Sequence, residues 1–139
     1  MKLRVVWAGK TKSPHLAKLC ADYVGRIQHF LPLEIAELKE SKLSAALDTA
    51  DRVVALDPQG QPWTSEQFAG FIQRHMTSDS RRLTFIIGDY AGLSPDIKKR
   101  ADIHWSLSPL TFTHDMTRVL LLEQIYRALS IIHNFPYSK

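Results

Sequence analysis

A single cysteine, Cys20, stands in the whole sequence. It excludes an internal disulfide and any cysteine-based metal centre. Its spacing puts it on the apolar side of an expected helix, where a packed, inert thiol is the ordinary state. Long apolar runs are missing too: none approaches the ~20 residues that span a bilayer. The opening "MKLRVVWAGK" has an apolar centre of only Val5 to Gly9 with charges on both sides. It reads as a strand rather than a leader segment, and the chain as cytoplasmic. Several chemical signatures are absent: no G-K-[ST] follows the glycines at 88 and 92, the full G-x-x-x-x-G-K-[ST] phosphate loop is missing, and there is no G-x-S-x-G nucleophile turn. His104, His114 and His133 are scattered without ligand spacing, so no metal is expected. Internal repeats, low-complexity tracts and linkers are missing as well.

What is present suits one α/β domain, with 139 residues and 45% hydrophobic content. The formal charge is +4. Basic residues gather at Lys10 and Lys12, at Arg81-Arg82 and at Lys98-Lys99-Arg100. Each group alone reads as a solvated face, although a phosphate-bearing partner fits the same excess.

Strand and helix patterns alternate along the chain. Strands are expected at Leu3 to Ala8, Leu33 to Leu38, Arg52 to Asp57, Leu83 to Ile87 and Ile103 to Leu107. Ser13-Pro14 provides an N-cap and a first-turn proline for a helix through Phe30. A short helix is expected around Lys42 to Asp48, and "PQGQPW" reads as a loop. Further helices start at Thr64, at Ser94 and at about Asp115. This order predicts a mostly parallel sheet with helices on both faces. Ligands in such sheets bind beyond the carboxyl ends of the strands. Leu56 to Gly60, Gly88 to Leu93 and Ser108 to His114 should therefore meet.

In "LTFIIGDYAGLSP" an apolar run breaks at Gly88, a second glycine follows at Gly92, and Ser94-Pro95 opens a helix. This is a strand, tight loop and helix without a phosphate fingerprint. A pocket lined by backbone suits a ligand with an adenine edge and a ribose more than a polyphosphate. The last helix is apolar around nearly its whole circumference, including Met116, Leu120, Ile125 and Ile132. A sheet covers only one face of a helix. The other is covered either by its own domain or by a second subunit. Glu123 and Arg127 stand at i, i+4, as an ordinary helix-surface ion pair does.

The succession "ALDPQG", "FIIGDYAGLS", "WSLSPLTFTHDMTRVLLLEQIYRA" and "NFPYSK" resembles the RlmH family of SPOUT methyltransferases. The resemblance runs from "KLRVVWAGK" to the end of the chain and is strongest over the last third. It implies a single SPOUT domain over 1–139, with a trefoil-knotted cofactor region over about 83–139. Strand patterns alone would have drawn an unknotted sheet. It implies S-adenosylmethionine as cofactor and a homodimer as the working form. The implied substrate is 23S ribosomal RNA in the assembled ribosome, methylated at N3 of pseudouridine 1915. By match to the family's motifs, Leu56, Gly88, Leu107, Ser108, Pro109, Leu110, Thr111 and Phe112 would hold the cofactor. Candidates for proton removal or RNA contact are His114, Arg118, Arg127 and Tyr137, with Lys139 as a further RNA contact. His114 is either the base that takes the N3 proton or a polar residue that starts the last helix. An arginine would bind phosphate or a developing oxyanion rather than act as base.

Three departures from the family pattern stand out. Asp89 replaces a second glycine after Gly88; it could hydrogen-bond the cofactor, repel RNA or cap the turn. Phe135 and Ser138 stand where the family tail has histidines. The segment between the second and third strands is short. These departures leave two other readings in play: a non-catalytic dimer that binds cofactor or ribosome, and a SPOUT methyltransferase with another RNA target.

Overall fold

The computed structural model describes residues 1–89 and 91–137; Ser138 and Lys139, named above as a tail departure and an RNA contact, lie outside the described residues. Five strands form one sheet: β1 (Leu3–Ala8), β2 (Leu33–Leu38), β3 (Asp51–Pro62), β4 (Arg82–Ile87) and β5 (Ile103–Ser106). Their order is β2-β1-β4-β3-β5, and every pairing is parallel. All strands therefore present their carboxyl ends at one edge, where the connecting loops gather.

Four helices follow the expected starts. In α1 (Pro14–Gln28) the Ser13 hydroxyl accepts the Leu16 amide, and Pro14 needs no partner for a missing N–H. α2 (Ser65–Ser78) opens with a reciprocal capping box between Thr64 and Gln67. α3 (Pro95–Arg100) is capped by Ser94, and α4 (His114–Ile132) by Thr113. α4 ends with the Phe135 amide on the Ser130 carbonyl at 2.8 Å and the Asn134 amide on Ile131 at 3.3 Å. Asn134 sits at φ 54°, the left-handed turn that closes this kind of helix end.

Alternating strand residues face two cores. Leu3, Val5, Trp7, Val54, Leu56, Phe85 and Ile87 meet α1, α2 and α4. Val6, Val53, Ala55 and Ile86 meet Ile97 of α3 and Leu43 on the other face. α4 lies across the first face and packs on both α1 and α2. Its own domain thus takes the sheet-facing stripe and both flanks, burying Val119, Leu121, Leu122, Ile125, Ala128 and Leu129. Leu120 and Ile131 stay half-exposed and Met116 is exposed.

Two expectations are corrected. The helix expected around Lys42 to Asp48 is instead a pair of 3₁₀ turns, Glu40–Lys42 and Ser44–Ala46. Neither has a side-chain cap, and the segment's packing role is to plant Leu43, fully buried, against the sheet. The loop expected at "PQGQPW" belongs in part to β3. Leu56 and Gln61 both pair with Trp105, so 57–60 bulge out and the strand then resumes. Gly60 makes the return possible, because a Cβ there would lie 2.6 Å from the His104 backbone carbonyl.

The amino ends of the strands are held by buried polar groups. The Asp51 carboxylate, fully buried, accepts from Arg82 Nε at 2.7 Å, Thr84 Oγ1 at 3.2 Å and the Asp48 amide at 3.1 Å. Burial pushes its pKa up, and these partners more than offset that, so the carboxyl sits below its usual value. At the same end His75 is fully buried, with Nε2 2.9 Å from the Arg81 carbonyl and Nδ1 3.3 Å from Arg52 Nη1. The neutral tautomer with Nε2–H donating fits both neighbours. Burial lowers the His75 pKa.

A histidine with a depressed folded-state pKa stabilises the fold above its unfolded pKa, and that stability is lost as pH falls through the folded value. Thermal melts between about pH 7 and about pH 5 should show a falling Tm that His75→Met reduces; an identical pH slope in the variant would contradict this assignment.

Candidate functional site

The three loops expected to meet do so. A cleft of about 350 Å³ opens over the carboxyl ends of β3, β4 and β5. That falls in the range of small-molecule sites, roughly 300–1,000 Å³. The bulge of β3 contributes Leu56, Asp57, Pro58 and Gln59. The loop after β4 contributes Gly88, Asp89, Gly92 and Leu93 beside Ile87. The segment after β5 contributes Leu107, Ser108, Leu110, Thr111 and Phe112, and α4 adds His114 and Thr117. Lys98 reaches in from α3.

Gly88 is fixed by the loop's own backbone. A Cβ at this position would stand 2.6 Å from the Gly92 carbonyl oxygen and 3.0 Å from the Leu93 amide. The loop folds back through a turn with the Gly92 amide on the Asp89 carbonyl at 2.8 Å. The Asp89 side chain caps this turn, accepting the Ala91 amide at 2.9 Å. Facing it across the cleft, the segment after β5 is braced by Ser106 Oγ on the Ser108 carbonyl at 3.1 Å. Ser108 Oγ in turn accepts the Leu110 amide at 3.0 Å.

Of the residues matched to cofactor binding, Leu56, Gly88, Leu107, Ser108, Leu110, Thr111 and Phe112 share this cleft. Pro109 is exposed and outside its lining. His114 opens α4 on the cleft wall.

The other three candidates lie elsewhere. Arg118 is buried, with Nη2 on the Ala8 carbonyl at 2.6 Å, Nη1 on Thr11 Oγ1 at 3.0 Å, and its plane 4.8 Å from the Trp7 ring centre. Burial lowers its pKa, opposed by the charges of Asp115 and Glu37. It ties α4 to the end of β1 and does not face the cleft. Asp115 completes that tie by accepting the amides of Lys12 at 3.1 Å and Ser13 at 2.8 Å.

Arg127 and Tyr137 form a separate cluster. Arg127 pairs with Glu123 at 2.7 Å, and its guanidinium sits 5.2 Å from the Tyr137 ring centre. The Tyr137 hydroxyl donates to Glu123 Oε2 at 2.8 Å and lies 3.0 Å from the Tyr23 hydroxyl. Burial first, then these hydrogen bonds, push the Tyr137 pKa well above its usual value, so it holds its proton. His114 and Arg127 are thirteen positions apart on α4, or about 20 Å at 1.5 Å per residue. Within one chain the cleft and this cluster are thus at different ends of one helix.

Sequence reasoning placed Lys98 only in a basic surface group, and passed over Thr117 and the cleft role of Asp57. Asp57 had a signal in the "LDPQG" turn, where its carboxylate accepts the Gln59 amide at 3.0 Å and faces His104 at 3.4 Å. Lys98 had none, because its place depends on how α3 folds back. Gly88→Ala should push the loop into the cleft and weaken binding of an adenosine-type cofactor by at least about tenfold by calorimetry, with unchanged far-UV circular dichroism. Unchanged affinity would put the binding site elsewhere.

A family model described as "Predicted SPOUT methyltransferase" matches residues 1–138. The chain is 43% identical over 152 aligned residues to the ribosomal RNA large subunit methyltransferase H of Trichlorobacter lovleyi, covering 99% of each. It is 38% identical to the protein of the same name from Coprothermobacter proteolyticus, covering all of both. Among solved structures, a probable methylase family protein from Haemophilus influenzae superposes with TM-score 0.62 at 12% identity, over 99% of this chain and 70% of that one. The SpoU methyltransferase AviRb from Streptomyces viridochromogenes, solved in complex with AdoMet, superposes with TM-score 0.52 at 14% identity, over 89% of this chain and 56% of that one. These two likenesses concern the fold. With the family match over nearly its whole length, the chain belongs to the SPOUT methyltransferases.

Proposed function

We propose that this protein is an S-adenosylmethionine-dependent methyltransferase of large-subunit ribosomal RNA, acting at N3 of a pseudouridine in the assembled ribosome. The observation that carries the cofactor half is the cleft itself. Its lining is mainly leucines, a phenylalanine and loop residues, with two carboxylates, Asp57 and Asp89, against one ammonium, Lys98. That set fits a cofactor with an adenine, a ribose and a cationic sulfur. The substrate half rests on the relatives named as ribosomal RNA methyltransferases over the full length of the chain.

In this reading Leu56, Leu107 and Phe112 hold the adenine by apolar contact. When bound, the cofactor supplies an electrophilic methyl whose carbon–sulfur bond breaks as the bond to N3 forms. The chain's task is alignment and removal of the N3 proton. His114, on the cleft wall, is the side chain suited to take that proton. Tyr137 keeps its own proton and serves as a donor. Arg127 offers its charge to an RNA phosphate or to the oxygen beside N3 as negative charge develops.

The two clusters at opposite ends of α4 support a homodimer. A second copy running antiparallel against the exposed side of α4 would bring its own Arg127 and Tyr137 toward the first copy's cleft. Met116, Leu120 and Ile131 offer apolar surface for such a contact. The same threading that the family fold implies for 83–139 would lock the third cleft wall against the loop after β4.

The test is transfer of labelled methyl to ribosomes from a strain lacking the modification, with bare 23S RNA alongside. Label mapped to the pseudouridine in ribosomes is expected; none on any RNA, with cofactor binding intact, would refute the enzyme reading. Arg127→Ala should reduce transfer by about a hundredfold while cofactor affinity changes less than about twofold. A lowered Tm with unchanged transfer would reduce Arg127 to a helix-surface partner of Glu123.

A further inference from the structure

We propose that Asp89 makes the cleft selective for the charged, methyl-bearing cofactor over the neutral thioether product left after transfer. The inference rests on the cofactor reading above and assigns that site a charge preference.

The charges around the cleft are unequal. Asp57 and Asp89 line it, with Lys98 as the cation on the lining beside His114. Asp57 takes the Gln59 amide and faces His104 Nδ1 at 3.4 Å, an ion pair only when that ring carries a second proton. His104 in turn is held by the Lys98 carbonyl at 3.0 Å. Asp89 differs. Its Oδ1 takes the Ala91 amide, and among the described residues it makes no ion pair. The turn it caps is already closed by the Gly92 amide on its backbone carbonyl. The cap needs only an acceptor oxygen, and an asparagine would supply one. The full negative charge exceeds what the turn requires.

Its surroundings add to that charge. Glu40, at the start of the first 3₁₀ turn, has its pKa raised by burial and then by the field of Asp89, while His114 pulls it the other way. Asp89 and His114 both line the cleft, and His114 opens α4. Asp89 lines the cleft and is half-exposed, so a cofactor that turned its methyl toward an external acceptor on this open side would bring its cationic sulfur within the field of this carboxylate. After transfer the sulfur is neutral while the rest of the cofactor is unchanged. A half-buried carboxylate then loses an attraction that ordinary salt screens only partly. Product release is favoured without weakening the grip on adenine or ribose.

Calorimetry with the full chain, titrated separately with S-adenosylmethionine and S-adenosylhomocysteine, tests this. Asp89→Asn keeps the turn cap and removes the charge. The Kd for S-adenosylmethionine should rise about fivefold or more, while that for S-adenosylhomocysteine moves less than about twofold. A parallel shift in both, or no shift in either, would overturn the proposal and leave Asp89 as a turn cap. The unaltered protein gives an independent check. Raising salt from about 0.05 M to about 0.5 M should weaken S-adenosylmethionine binding more than S-adenosylhomocysteine binding, and equal salt dependence would also overturn it. Failure of both ligands to bind the unaltered protein would instead refute the cofactor reading itself.

Discussion

Where α4 begins is set by Arg118 and Asp115. The buried guanidinium binds the last carbonyl of β1 and the Thr11 hydroxyl, and the carboxylate takes the first amides before α1. These contacts join residues more than a hundred positions apart. They hold the segment after β5 across the sheet edge, so that Leu107 to Phe112 face the loop after Gly88. Without them the cleft would lose its third wall. The tie is carried by Nη1 and Nη2, while Nε is buried without a partner among the described residues.

The opposite ends of the sheet have separate tasks. At the amino ends, Asp51 is held by Arg82 and Thr84, and His75 by Arg52 and the Arg81 carbonyl. At the carboxyl ends the backbone is opened out by a bulge at 57–60 and a folded-back turn at 88–92. Stability and binding are thereby placed on different residues. α4 connects the second region to a third, the Glu123, Arg127 and Tyr137 cluster, through a rigid rod of about five turns. In the proposed dimer, the cleft and Arg127 that act together come from two copies of the chain.

Much of this was legible in the sequence. Ser13-Pro14, Thr64 and Ser94-Pro95 marked helix starts within a residue, because capping is local chemistry. The alternation of strands and helices gave the parallel sheet and hence the edge where loops meet. Long-range geometry was not legible. "PQGQPW" contains turn residues, yet Gln61 and Pro62 return to pair with β5 because Gly60 lets two backbones approach. Arg118 reads as a free cation near the loops, and only the packing of α4 on β1 shows that it is buried. The apolar circumference of α4 left open what covers it; α1 and α2 take both flanks, and a narrower outward stripe stays exposed or half-exposed. Asp89 looked like one of three things, and its carboxylate is placed as a turn cap with one oxygen to spare.

The central claim is that cleft and Arg127 cluster join across two subunits. Subunits carrying Gly88→Ala and subunits carrying Arg127→Ala, each strongly impaired alone at limiting cofactor, can be co-refolded in equal amounts and assayed for methyl transfer to ribosomes. Random pairing makes about half the dimers mixed, each with one intact composite site, so about a quarter of the unaltered activity should return. If the mixture stays as impaired as its parts while mixed dimers are present, the site is completed within a single chain and the account is wrong.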